Sequence, residues 1–331
     1  MMETLEEAEL CFPQLFNTSC KKHKRSHSER MLTYVLMSSV SLLTVFLNLL
    51  VIISISYFRQ LHTPTNLLLL SLAVSDLLVG LVVVPFQILL NEPCWFLGDV
   101  ICTLYFLIGF VTVCASVLNM VLISVDRYVA ICDPLHYSTK FTPKMVQIYI
   151  VLCWGCAVVY SCLILLDNLK QPGRYNSCYG ECVNNIFGPV HIVICFISTN
   201  MIVILYMRVF VVAVSQARSM CSHIAAVKLQ RSVTVTVKKS ELKAARTLGV
   251  VVAVFLMCYS PYYCVSFAGY DIIIASSTST FVNFLFLLNS CLNPLIYAFF
   301  YPWFRKSVKI IVTLEILQPH SCQTNVLRTE K

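Results

Sequence analysis

Few residues of this 331-residue chain carry charge, and those that interrupt its apolar stretches are the ones able to do chemistry. Asp76 is the one carboxylate deep within the first two such stretches. A charge set in hydrocarbon costs roughly 3 kcal/mol or more unless it is paired or hydrated. Ser116, Asn289, Ser290 and Asn293 lie in later stretches and are the polar side chains that could face it, together enough oxygen to hold a small cation or a water cluster. Asp126-Arg127-Tyr128 sits at the end of the third stretch and Glu241 opens the sixth. An Arg to carboxylate pair across those ends would latch one face of the molecule, and its rupture would open a docking groove. Bond-making chemistry is not indicated: serines and histidines occur, but no nucleophile and base, and no His-rich metal set, stands out.

The elements that would hold these groups follow from composition. Apolar residues make up 58% of the chain and charged residues 12%, against about 25% charged in a soluble domain. The apolar residues fall into seven blocks of spanning length, at about 34–57, 66–90, 99–132, 145–167, 187–214, 241–270 and 277–300. About 20 residues of helix cross a bilayer, and no backbone amide goes unpaired in lipid, so each block is expected to be a helix. Strands of a barrel would be half as long and strictly alternating. The expected fold is an all-α membrane protein, a seven-transmembrane-helix bundle over 34–300, preceded by an extracellular segment 1–33. A short amphipathic eighth helix over 301–316 and a cytoplasmic tail over 317–331 complete it.

Basic residues set the orientation. Arg59, Lys140, Lys144, Arg218, Lys228, Arg231, Lys238, Lys239, Arg305, Lys306 and Lys309 follow the odd-numbered spans. The positive-inside rule places those loops and the C-terminus in the cytoplasm of a plasma-membrane protein. The N-terminal bases dissent and are overruled by the other loops and by Asn17-Thr18-Ser19, a glycosylation acceptor that works only outside the cytosol. Met1 to Glu9 is acidic and does not read as a cleavable signal, so the first span would serve to insert the chain. In 301–316, Trp303, Phe304, Val308, Ile311 and Leu314 share one side and Arg305, Lys306 and Lys309 stand elsewhere, a helix for the inner leaflet and its anionic lipid. The net charge of +8 reflects these bases and not a nucleic-acid partner. Of 17 cysteines, most lie in apolar spans; Cys11, Cys20, Cys94, Cys102, Cys178 and Cys182 lie on the oxidising side, where disulfides are expected. Cys322 could carry a palmitate, but it stands far from the eighth helix and reads rather as a plain tail cysteine.

Asp126-Arg127-Tyr128, Asn293-Pro294-Leu295-Ile296-Tyr297, Asn48, Leu72 to Asp76, Trp154 and Pro261 resemble, helix by helix, the rhodopsin-like G-protein-coupled receptors. Asn289 to Phe304, with Tyr301, Trp303 and Phe304 after the Asn-Pro motif, is similar to the seventh-helix fingerprint of the trace amine-associated receptors, as are Leu61 to Gly80 and Cys94-Trp95-Phe96-Leu97-Gly98. The resemblance implies a chemosensory receptor, not an enzyme, that activates a heterotrimeric G protein of stimulatory or olfactory type in response to a small molecule. It implies no cofactor beyond an allosteric sodium ion at Asp76, Ser116, Asn289 and Asn293. It implies bridges from Cys102 to Cys182 and from an N-terminal cysteine, Cys20 in preference to Cys11, to Cys178. Arg127 would meet the G protein, Phe255 and Tyr259 would relay ligand occupancy, and Tyr206 and Tyr297 would complete a water network in the active state.

The departures bear on the ligand. Amine-binding relatives carry an aspartate seven residues after the bridging cysteine and eighteen before the arginine; both counts land on Gly109. The alternative acid of the fifth helix would fall at Val190 or His191. A buried ammonium without a carboxylate is costly, which puts ordinary monoamine recognition in question. Lining residues implied by the resemblance are Gly109, Phe110, Val113, His191, Ile194, Tyr259, Tyr262, Tyr263, Ser266, Asn283 and Leu287, with Asp271 or Glu181 near the mouth. The tyrosines could hold an amine by cation-π contact, and His191 could favour an acidic or hydrogen-bonding odorant. Ser198 replaces the usual proline of the fifth helix, Tyr259 the tryptophan of the sixth, and Leu47 the glycine before Asn48. A transporter is the rival class, but no internal repeat supports it.

Overall fold

Three of the long helices start where a serine or threonine hydroxyl caps them. The computed structural model describes residues 10–12, 26–166, 170, 188–226, 249–250, 252–266, 268, 277–318 and 321–327. Helix α1 runs His27–Tyr57, with the Ser26 hydroxyl accepting from the Glu29 amide and Glu29 in the positive first turn. It therefore begins seven residues before the expected 34, on a polar turn that hydropathy alone does not register. Helix α2 (Pro64–Leu90) and the later Pro143–Ile164 open alike: Thr63 and Thr142 cap them through their hydroxyls, and a proline follows at the first helical position. Within α2 a π turn over Val79–Val83 widens the helix.

Helix α3 is Gly98–Cys132, α4 the short Pro134–Lys140, α5 Pro143–Ile164, α6 Gly188–Ala226, α7 Val252–Ser266, α8 Ser277–Phe300 and α9 Pro302–Val312. Among the described residues α1, α2, α3, α5 and α8 are long and apolar enough to cross a bilayer, and shorter apolar segments, Phe196–Val212 in α6 and Val252–Ser266 in α7, occupy the expected fifth and sixth crossings. The short α4 was not foreseen. The amphipathic eighth helix is α9, ending at Val312 with Leu314 turning left-handed at φ 59°.

The bundle is polar within and apolar without. Leu42, Val151 and Phe299 are 72%, 71% and 78% exposed, whereas Asn48, Ser75, Asp76, Ser116, Asn119, Asn289 and Asn293 are buried. A water-soluble protein does not present such a periphery; lipid must cover it.

Three polar ties fix the helices that carry the site. Pro294 has no amide hydrogen to give to the carbonyl of Ser290, one turn back. The Asn48 side-chain amide donates to that carbonyl at 3.0 Å and so joins α1 to α8. Trp154 donates its indole N–H to the Ser71 hydroxyl at 3.0 Å, joining α5 to α2. At Gly80 the α1 and α2 backbones approach closely: a Cβ there would sit 3.0 Å from a Thr44 methyl, and Ser41 donates to the Gly80 carbonyl at 2.7 Å.

Candidate functional site

Three groups of residues, stacked along the bundle, make up the site. At mid-depth Asp76 is fully buried, and its Oδ2 accepts from the Asn293 amide at 2.9 Å, with the Ser290 hydroxyl a further donor. Among the described residues its Oδ1 has no partner, nor have the side-chain oxygens of Asn289 and Asn293. Ser116 contacts Ser75, hydroxyl to hydroxyl at 3.0 Å, one residue before Asp76. Buried oxygens are ordinarily satisfied; unpartnered oxygens beside a carboxylate are the donor set a small hard cation or ordered water requires. Asn119, buried in α3 with neither side-chain atom satisfied, adds to this polar core and was missed in the sequence, where it sits among apolar neighbours. The Tyr297 hydroxyl is likewise buried without a partner among the described residues.

At the end of α3, Arg127 folds back on its own neighbour, with Nη2 at 2.5 Å and Nε at 2.9 Å from Asp126 Oδ2. Thr65 at the start of α2 accepts from Arg127 and donates to Asp126 Oδ2 at 2.9 Å. Tyr137 of α4 donates to Asp126 Oδ1 at 2.9 Å. Burial, and then the Asp126 charge, push the Tyr137 hydroxyl above its usual range, so it remains a donor. On the same short helix, His136 and Lys140 hold the Asp133 carboxyl below its usual range. Thr65 and Tyr137 carry no sequence signal of this role, because the contact is made only when α2 and α4 converge on α3. Glu241, the expected partner of Arg127, lies outside the described residues. Tyr128 packs against Ile131, Val209 and Val212 and so faces α6.

Toward the other end, aromatic rings of α7 and α8 pack together. Phe255 and Tyr259 stack with centroids 4.2 Å apart, and Phe286 lies 4.4 Å from Tyr259 and 5.0 Å from Tyr262. Tyr263 meets Phe196 of α6 edge-on at 6.4 Å. Phe286 was not anticipated. On α3 a Cβ built at Gly109 would meet nothing within 4 Å, so the position expected to carry an acid borders open space. Phe110, Val113, Ser266 and Asn283 are partly buried and Leu287 is buried, whereas Ile194 is 42% exposed. The His191 side chain, Asp271 and Glu181 lie outside the described residues. Below the rings, Tyr206 of α6 covers Gly249, its hydroxyl 2.8 Å from where a Cβ would be.

The profile of the 7 transmembrane receptor (rhodopsin family) matches residues 47–297. Trace amine-associated receptor 8c of Rattus norvegicus is 38% identical over 334 aligned residues, covering 96% of both chains. Trace amine-associated receptor 13c of Danio rerio is 35% identical over 97% of both, and receptor 7e of Mus musculus 37% identical over 96% of this chain and 92% of its own. The chain belongs to the trace amine-associated receptors. As a rhodopsin-family receptor it is a multi-pass membrane protein and not an enzyme, and it couples a small-molecule ligand to a G protein.

In this trace amine-associated receptor the disulfides extend the expected set. Cys11 is bonded to Cys94, which the sequence left without a partner, so Cys11 is not available to Cys178. The bridge is seated by Phe12 against Phe96 at 5.9 Å, and by Trp95, whose indole donates at 2.9 Å to the carbonyl of Gly98. Gly98 has φ +74°, a conformation that favours glycine. Cys102 is disulfide-bonded; Cys20, Cys178, Cys182 and the acceptor Asn17 lie outside the described residues.

Proposed function

We propose that this receptor is a chemosensory receptor of olfactory type. It sits in the plasma membrane with its N-terminus extracellular and its C-terminus cytoplasmic, takes small amine-like ligands between α3, α7 and α8, and activates a heterotrimeric G protein of stimulatory or olfactory type. The aromatic wall of Tyr259, Tyr262, Tyr263 and Phe286, together with the open space beside Gly109 of α3, carries this reading. Cation-π contact with such rings contributes up to about 2 kcal/mol in a dry site. Ligand pressing on Tyr259 moves Phe255, stacked beneath it, and with it α7. Movement of α7 draws Gly249, just before it in the chain, away from Tyr206 and frees the cytoplasmic end, where Arg127 leaves Asp126 and Thr65 for the G protein. Asp76, Asn289 and Asn293, through oxygens unpartnered among the described residues, and Ser116, whose hydroxyl bonds Ser75, would take a sodium ion and hold the resting arrangement. The apolar side of α9, with Trp303, Phe304 and Ile310, is buried against the bundle and not laid on the leaflet as its pattern suggests, which leaves the exposed Arg305 and Lys309 to meet anionic lipid.

A second reading, a receptor for neutral or acidic odorants, is favoured by one observation: Gly109 offers no carboxylate where an ammonium would need it. A panel of biogenic amines, neutral odorants and acids on cells expressing the receptor separates the two, read as cyclic AMP. The amine reading expects responses confined to amines and lost in Tyr259→Ala. Gly109→Asp should raise amine potency by about tenfold or more, since a desolvated charge-assisted contact contributes about 1.5–3 kcal/mol. Responses to neutral or acidic odorants alone, unimproved for amines by Gly109→Asp, would replace the first reading with the second.

A further inference from the structure

A second cleft lies outside the helical ring, between the N-terminal halves of α1 and α8. On α1 it is lined by Glu29, Leu32, Thr33, Leu36 and Met37, spaced as one face of a helix, and on α8 by Thr280, Phe281 and Phe284. Its volume is about 320 Å³, room for a slender organic molecule. Met37, 1% exposed and packed with Leu287 and Val84, closes the inner end. Leu32 and Phe281, 60% and 61% exposed, leave its flank open to the membrane.

One charge stands at the rim. The Glu29 backbone is fully engaged, its amide with the Ser26 hydroxyl and its carbonyl with that of Thr33, but among the described residues its carboxylate has neither hydrogen-bond nor ion-pair partner. Glu92, by contrast, is engaged by the Tyr34 hydroxyl. Seen from the membrane, the cleft is an apolar trough of about 12 Å, the rise from residue 29 to 37, ending in one anion.

We propose that this cleft is a binding site for a protonated, single-tailed amphiphilic amine, its ammonium on Glu29 and its apolar body along Leu32, Leu36 and Phe284 toward Met37. A phospholipid fits less well, because its phosphate would be brought against the carboxylate. A neutral chain would leave the charge unused. The site is separate from the ligand site proposed beside Gly109, so it stands or falls independently of which ligands that site takes.

The test is photolabelling of the full-length receptor in phosphatidylcholine nanodiscs with a diazirine-bearing octylamine, with peptide mapping by mass spectrometry. The matching diazirine-bearing octanol serves as the uncharged comparison. The expected result is amine-dependent labelling within 29–37 and 280–284, saturable with octylamine. It should weaken about fivefold in Glu29→Gln, the scale of one partly hydrated ion pair, and persist in Tyr259→Ala. Leu36→Trp, which fills the trough and leaves the charge, should abolish it while leaving the Cys11–Cys94 bond intact on the same maps. Equal labelling by the amine and the alcohol, or equal labelling of wild type and Glu29→Gln, would overturn the assignment and make the trough a seat for lipid tails.

Discussion

Gly249, just before α7, sets how closely Tyr206 lies against that stretch of backbone. With hydrogen in place of a Cβ, the tyrosine hydroxyl and Cε1 rest 2.8 and 3.0 Å from the vacant position, closer than a methyl tolerates. What must yield to Gly249→Ala is the end of a flexible side chain, so the helix keeps its path and the ring swings out of its resting seat. A bias of about 1 kcal/mol toward the open arrangement is roughly a fivefold change in its population. We therefore expect Gly249→Ala to raise ligand-independent nucleotide exchange on the G protein several-fold at matched surface expression; exchange at the wild-type level would show that the Tyr206 seat does not restrain activation. This pairing is invisible in the sequence, which contains Tyr206 and Gly249 43 positions apart with nothing to mark their contact. Asp76 with Asn293, and Asp126 with Arg127, were legible because a polar group inside an apolar run needs a partner and few were available. The partners that the sequence could not supply, Thr65 and Tyr137 for Asp126 and Ser75 for Ser116, are residues ordinary at any helix end or interior.

Among the elements, the spanning helices were legible because hydrocarbon leaves the backbone no alternative to internal hydrogen bonding. Their ends were less so: α1 starts on a capped polar turn, and α4 is a short polar helix whose pattern resembles a loop. The tail shows the same limit more sharply. Residues 317–331 read as free chain, yet 321–327 fold back on α1 and α9. Tyr57 bonds both the Ser321 hydroxyl at 2.6 Å and the Ile316 carbonyl at 3.0 Å. Gln60 and Lys306 donate to the carbonyls of Thr324 and Asn325 at 2.5 and 2.8 Å, and Val326 is 2% exposed in the main apolar cluster. Cys322, expected far from the eighth helix, is thereby held beside Arg59 and Gln60. One buried valine and a few hydrogen bonds are too little to be seen as a pattern, but enough to hold a short strap. Tyr57→Phe removes two of those bonds, each about 1 kcal/mol. Amide exchange by mass spectrometry should then quicken over 316–327 and stay unchanged over 64–78; a uniform change, or none, would mean that the strap is held elsewhere.

At the scale of the whole molecule, Asp76 and Asn293 join α2 to α8, and Asn48 joins α8 to α1 through the carbonyl that Pro294 leaves open. These ties converge on the buried oxygens that lack partners, so a cation received there would bind the closed bundle and not the unfolded chain. Binding to one state stabilises it by RT ln(1 + [L]/Kd), about 1.4 kcal/mol at tenfold excess over Kd. Replacing choline chloride with sodium chloride at constant ionic strength should therefore raise the melting temperature of the purified receptor and lower its basal nucleotide exchange together, since both report the same closed arrangement. Asp76→Asn keeps the hydrogen-bonding shape and removes the charge, and should melt at one temperature in either salt. Equal melting of the wild type in sodium and choline would assign the unpartnered oxygens of Asp76, Asn289 and Asn293 to water alone. The closed bundle would then rest on direct helix contacts and on the Arg127 latch, and Thr65→Ala, which strips a shared partner from Asp126 and Arg127, would become the variant with the larger effect on basal exchange.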